Sequence, residues 1–204
     1  MSSQKTPDIP VGFTVAGTET NINKLIKKLT DKLNGIALEI SFYGICERRV
    51  RQDGTVYPAL FQSNSKDWID AMANDQWPGY GFWDLEDPEK WEYTGDGTVL
   101  NYGKITRKAS LIVYGHIDKL LWKDGETSTD YRYDKQLIKS QIIEILLRQT
   151  SAINGYFELN EVFDQEIENI FKGFTAKEQT GQFLQSPNFG FRFSGLIITD
   201  EECV

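Results

Sequence analysis

Apolar residues recur along this chain in two helical rhythms and several strand-like ones. After Thr20-Asn21, a pair suited to capping, Ile22, Leu25, Ile26, Leu29 and Leu33 fall at three- and four-residue steps until Asn34-Gly35. That spacing predicts a helix with one buried face, and Lys24, Lys27, Lys28 and Lys32 on the opposite face read as solvated. A second helix is expected from Tyr131 to Gln149, with Ser128-Thr129-Asp130 available to cap it. Leu137, Ile138, Ile142, Ile145 and Leu146 form its stripe, which Ile143 and Leu147 widen. A helix that apolar asks for a sheet on one side and for more cover on another, from this chain or from a neighbouring subunit.

Strand-like runs lie on both sides of that helix in sequence. Ile36 to Tyr43 is rich in β formers, and Arg48 to Gln52 and Thr55 to Tyr57 flank Asp53-Gly54, a hairpin signal of the type I′ kind. Ala109 to Ile117 is apolar almost without interruption, as a strand covered on both faces would be. Tyr156 to Phe163 alternates, and Gln165 to Phe171 either continues it or turns into a short helix. In the closing run Phe189, Phe191, Phe193 and Ile197 share one face, Arg192 and Ser194 the other. The order lacks regular strand–helix–strand alternation, so the expected class is α+β: a mostly antiparallel sheet, two main helices packed on one face, and a long β-hairpin.

Gln62 to Gly103 interrupts these rhythms. It holds four of the five tryptophans and nine acids against two lysines, with turn signals at Trp77-Pro78-Gly79, Asp87-Pro88 and Gly95-Asp96-Gly97. The expectation is one domain over residues 1–204 with an acidic, aromatic-rich insertion at 62–105 that bears a contact surface. Trp77, Tyr80, Phe82, Trp83 and Trp91 are its candidate partner anchors, because aromatic side chains dominate interface energies.

Charge and composition narrow the possible functions. A net charge of -8 opposes a protein that grips nucleic acid by neutralising phosphates. Two distant cysteines, Cys46 and Cys203, suit a reducing compartment, and no apolar run is long enough for a bilayer span. The expected product is soluble and intracellular. His116 is the only histidine; within a strand it reads as a satisfied or surface side chain, and with two distant cysteines it cannot supply a zinc site. Gly79-Tyr80-Gly81-Phe82 lacks the third glycine of a dinucleotide loop, and no Gly-Lys-Ser/Thr is present. No catalytic residue, cofactor or metal is therefore expected. The carboxylates Asp84, Glu86, Asp87 and Glu89 among tryptophans leave one alternative, a glycan-binding or glycan-cleaving cleft in 62–105, and cation binding at the same acids stays open.

The order of these elements resembles the small neck and tail-terminator proteins of tailed bacteriophages, with ring proteins of the crAss-like phages as a more specific likeness. The likeness covers about 20–61 and 106–199. It is carried by the first helix, the hairpin with Tyr57-Pro58-Ala59, the strand Ser110 to Gly115, the apolar helix, and Leu184 to Phe193. The insertion has no counterpart in the short members. The resemblance implies a non-enzymatic virion protein of the head-tail connector or tail-terminator kind, assembled in the host cytoplasm. It would form a homo-oligomeric ring of six or twelve copies against portal, neck or tail proteins. DNA would pass through that channel without specific binding, and no membrane would be involved.

Overall fold

A computed structural model of the chain describes residues 21–36, 40–62, 66–73, 77–86, 89–94, 102–120, 131–148, 155–175 and 187–201. The elements run α1 (Asn21–Leu33), β1 (Ser41–Ile45), β2 (Glu47–Val50), β3 (Val56–Gln62), β4 (Asp67–Asp70), β5 (Gly79–Leu85), β6 (Lys90–Thr94), β7 (Tyr102–His116), α2 (Tyr131–Leu147), β8 (Gly155–Phe163), α3 (Ile167–Ile170) and β9 (Asn188–Glu201). Six strands form one sheet in the order β1-β5-β7-β9-β8, with β6 also on β7; β2-β3-β4 form a second sheet. The pairs are antiparallel except β1 with β5. The fold is α+β, as the element pattern requires.

β7 is the spine. β9 pairs with it from Gly103 to His116, while β6 and β5 share its other edge in succession. The residues of β7 from Ala109 to Gly115 are all buried, because both faces of the sheet are covered. On one face α1 and α2 pack over Leu111, Val113, Phe191 and Phe193. On the other, the small sheet and α3 enclose Tyr80, Phe82, Ile112 and Tyr114. Alternate side chains of single strands thus feed two cores, and the expected faces of β9 are those observed.

Local details depart from the expected chemistry. α1 ends in two i→i+3 bonds, Gly35 N–H to the Lys32 carbonyl and Ile36 N–H to the Leu33 carbonyl, rather than in a left-handed glycine cap. Asn34 then holds the next strand in register: its amide donates to the Phe42 carbonyl at 3.1 Å and accepts from the Phe42 N–H at 2.8 Å. Ordered pairing starts at Ser41, later than Ile36, and residues 37–39 lie outside the described residues. The hairpin turn has positive φ at Gly54 only. Arg51 N–H bonds to Thr55 and Gly54 N–H to Arg51, so it is a three-residue loop closed by a left-handed glycine, not a type I′ turn.

The largest correction concerns 62–105. This stretch is not added to the fold, because it supplies β4, β5 and β6 and brings β7 into its pairing, and β5 lies between β1 and β7. Trp83 shows why: its ring meets Phe157 at 5.4 Å, and its indole N–H donates to Thr30 Oγ1 of α1 at 3.1 Å. The aromatic density is that of a core strand buried on both faces.

Gly195 marks where β8 comes closest to β9: a Cβ there would stand 2.0 Å from the Glu158 carbonyl oxygen. Gly195→Ala is expected to lower the urea midpoint by the equivalent of about 2 kcal/mol or more. Gly44→Ala, where nothing lies within 4 Å, should change stability far less, and equal midpoints for the two variants would contradict this packing.

Candidate functional site

The chemistry of the described residues concentrates where polar side chains break otherwise apolar strands: Asp84 in β5, Ser110 in β7, and Arg192 and Ser194 in β9. All four project from the face that the second layer covers. Arg192 and Asp84 are each about 1% exposed. Arg192 NH2 donates to Asp84 Oδ2 at 3.2 Å and to Glu86 Oε1 at 3.3 Å, Nε donates to Ser194 Oγ at 3.2 Å, and NH1 reaches the carbonyls of Ile170 and Lys172. Those carbonyls belong to the end of α3 and the turn that follows it, where orphan acceptors need a donor.

From the other side comes Arg48 of β2. It grips Asp84 through two parallel bonds, Nε to Oδ1 at 3.0 Å and NH2 to Oδ2 at 2.9 Å, the fork geometry that makes guanidinium–carboxylate pairs strong. Its guanidinium also lies 5.4 Å from the Phe174 ring centre. The hydrogen bonds that Arg48 donates to Asp84 raise its pKa above its ordinary value despite partial burial. One carboxylate therefore joins β2, β5 and β9, and through Arg192 also α3.

Cys46 sits at the crossing from β1 to β2, its N–H bonded to the Trp83 carbonyl at 2.8 Å. Burial, reinforced by the Asp84 charge, pushes its thiol pKa well up, which keeps the sulfur protonated and a poor nucleophile. Ser110 and Ser194 lack a histidine: His116 is six residues further along β7, roughly 20 Å away at strand rise. His116 is half-buried, and its enclosed Nδ1 has no hydrogen-bond partner among the described residues, where a satisfied or surface histidine is the expectation. Among the described residues no group of three or more His, Cys, Asp or Glu side chains is placed to hold a metal ion.

The five aromatic anchors expected from the sequence fare differently. Tyr80, Phe82 and Trp83 are fully buried within the chain and offer no surface to a partner. Tyr80 donates its hydroxyl to the Met72 carbonyl at 2.8 Å. Trp77 is half-buried, with its ring edge-on to Tyr80 at 4.9 Å. The Trp91 side chain lies outside the described residues. Of the acids read as a cleft, Asp84 and Glu86 are engaged by Arg192, and Glu89 by Arg107 at 2.8 Å; Asp87 lies outside the described residues. The missed participants are Arg48 and Ser110; Ser110 carried a signal, a polar residue inside the apolar run Ala109 to Ile117, whereas Arg48 sits in a polar stretch that gave none.

Neither a family model nor a curated protein matches the sequence.

Removing Asp84 would take from Arg192 its one fully buried carboxylate partner and leave it only the partly exposed Glu86. Asp84→Ala is expected to cost about 3–5 kcal/mol, read from denaturant unfolding. Arg51→Ala, which breaks the half-exposed pair with Asp70, should cost about 1 kcal/mol or less. A cost for Asp84→Ala no larger than that for Arg51→Ala would show that the cluster does not hold the layers.

Proposed function

We propose that this protein is a structural subunit of a bacteriophage neck or tail, a head-tail connector or tail terminator that assembles into a ring around the DNA channel. The observation that carries the reading is the distribution of apolar surface on α2. Ile138, Ile142 and Leu146 face the core, whereas Ile143 on the adjoining flank is only partly covered and Leu147 is 58% exposed. Among the described residues that flank is left incompletely covered, most of all at Leu147, and a second copy would bury it. The order of elements supports the same reading: an amphipathic helix, a hairpin, a buried long strand, an apolar helix and a Phe-rich closing strand. So does the site chemistry. Asp84, Arg48 and Arg192 are spent on one another and on the fold, as suits a protein whose work is assembly. A net charge of -8 favours DNA that passes without being gripped.

Ring formation, joining of portal-side components to the tail, and virion location all belong to this proposal. The glycan alternative loses ground, because Tyr80, Phe82 and Trp83 have no exposed face on which a sugar ring could stack. No helix among the described residues is long and apolar enough to cross a membrane.

Light scattering after size exclusion, at rising concentration and with a portal-side ring protein added, should reveal closed oligomers, and negative-stain images should show rings. Leu147→Glu is expected to shift the population toward monomer with an unchanged circular dichroism spectrum. A monomer in every mixture would overturn the proposal.

A further inference from the structure

On the face that carries the second layer, the cover stops short of one end. β2–β4 and α3 enclose Tyr80, Ile112 and Tyr114, but Ser110 and its cross-strand partner Ser194 line an open cleft of about 280 Å³. One wall carries Lys108 of β7 and Lys172 from the turn after α3. The other is β8, where a bulge between Leu159 and Glu161 brings Asn160 and Glu161 to the rim. Bulges re-aim side chains in this way beside binding sites.

The free valences of this cleft can be counted. Ser110 Oγ and Ser194 Oγ lie 3.0 Å apart, and Ser194 Oγ also accepts from Arg192 Nε. Two hydroxyls carry two hydrogens, and one suffices to join them. Whichever serine donates, the other keeps an O–H with no acceptor among the described residues. Arg192 has spent its N–H groups on protein oxygens and its charge on Asp84 and Glu86, so it offers the cleft no bond. Glu86 is already committed to Arg192, whereas Lys108 and Lys172 make no ion pair among the described residues. What remains is two ammoniums and a hydroxyl donor on one side, and the Glu161 carboxylate and Asn160 amide on the other.

The geometry points to a binding site for an oxyanion, a phosphate or carboxylate group, carried on a small hydroxylated molecule. Lys108, Lys172 and the spare serine O–H take the anionic oxygens; Asn160 and Glu161 accept from the hydroxyls of the carrier. In a net acidic chain, the surplus positive charge of this cleft is that of Lys108 and Lys172, because the Arg192 guanidinium in its floor is balanced by Asp84 and Glu86. The inference does not depend on ring assembly, since the cleft lies within one copy.

Amide chemical shifts followed by NMR during titration with inorganic phosphate, ribose 5-phosphate and citrate test it. At least one probe should give saturable shifts at Ser110, Ser194 and Gly195, with ribose 5-phosphate binding more tightly than phosphate alone if the phosphate is the group recognised, and citrate alone binding if the carboxylate is. Lys108→Gln/Lys172→Gln should weaken binding roughly tenfold or more, while Lys24→Gln/Lys27→Gln on the exposed face of α1 leaves it unchanged. No saturable shift with any probe, or equal losses in the two double variants, would overturn the site.

Discussion

A carboxylate held between two guanidiniums sets the terms for the rest of this structure. Asp84 is closed to solvent and bonded by both Arg48 and Arg192, and its position is one that water cannot rescue. Charges in such a place are tolerable only when the surrounding geometry satisfies them. That requirement fixes where β2 must lie over β5, how far along β9 the segment after α3 must dock, and which way the last turn of α3 must point. The apolar contacts around Tyr80, Ile112 and Tyr114 supply the attraction between the layers, but greasy surfaces slide. The ion cluster gives the second layer its register.

The helical layer is built differently. α1 and α2 rest on Leu111, Val113, Phe157 and the phenylalanines of β9, with polar pins that include Asn21 to the Asp200 carbonyl, Trp83 to Thr30, and Lys139 to Asp164. Lys135 also lays its ammonium 5.7 Å from the Phe191 ring centre, and burial lowers its pKa. This side is specified by shape and area, and it is also the side whose apolar supply exceeds what the described residues cover. An assembly reading follows from that surplus, while the polar cleft on the opposite face supports a separate ligand proposal.

Periodicity made the helices legible, and it assigned the faces of β9 correctly because Phe189, Phe191 and Phe193 alternate without exception. It failed at β5 for a physical reason. A strand buried on both faces shows no alternation, and Gly79, Gly81 and the neighbouring turn signals made Tyr80, Phe82 and Trp83 look like a displayed surface. The second layer was equally hidden, since β2 and β4 are four-residue strands and their cover of the sheet depends on where β1 crosses over at Cys46. The site was half legible. Arg192 and Ser194 could be placed on the polar face of β9, but the partners that satisfy them, Asp84, Glu86 and the α3 carbonyls, come from segments that no sequence spacing connects.

A double-mutant cycle on Asp84 and Arg192 tests most directly whether the cluster acts as a structural tie. If it does, Asp84→Leu and Arg192→Met are each strongly destabilising, and the double variant recovers much of the loss, because apolar side chains of similar volume can replace a buried pair at little cost. Additive losses, with no recovery in the double variant, would contradict the account.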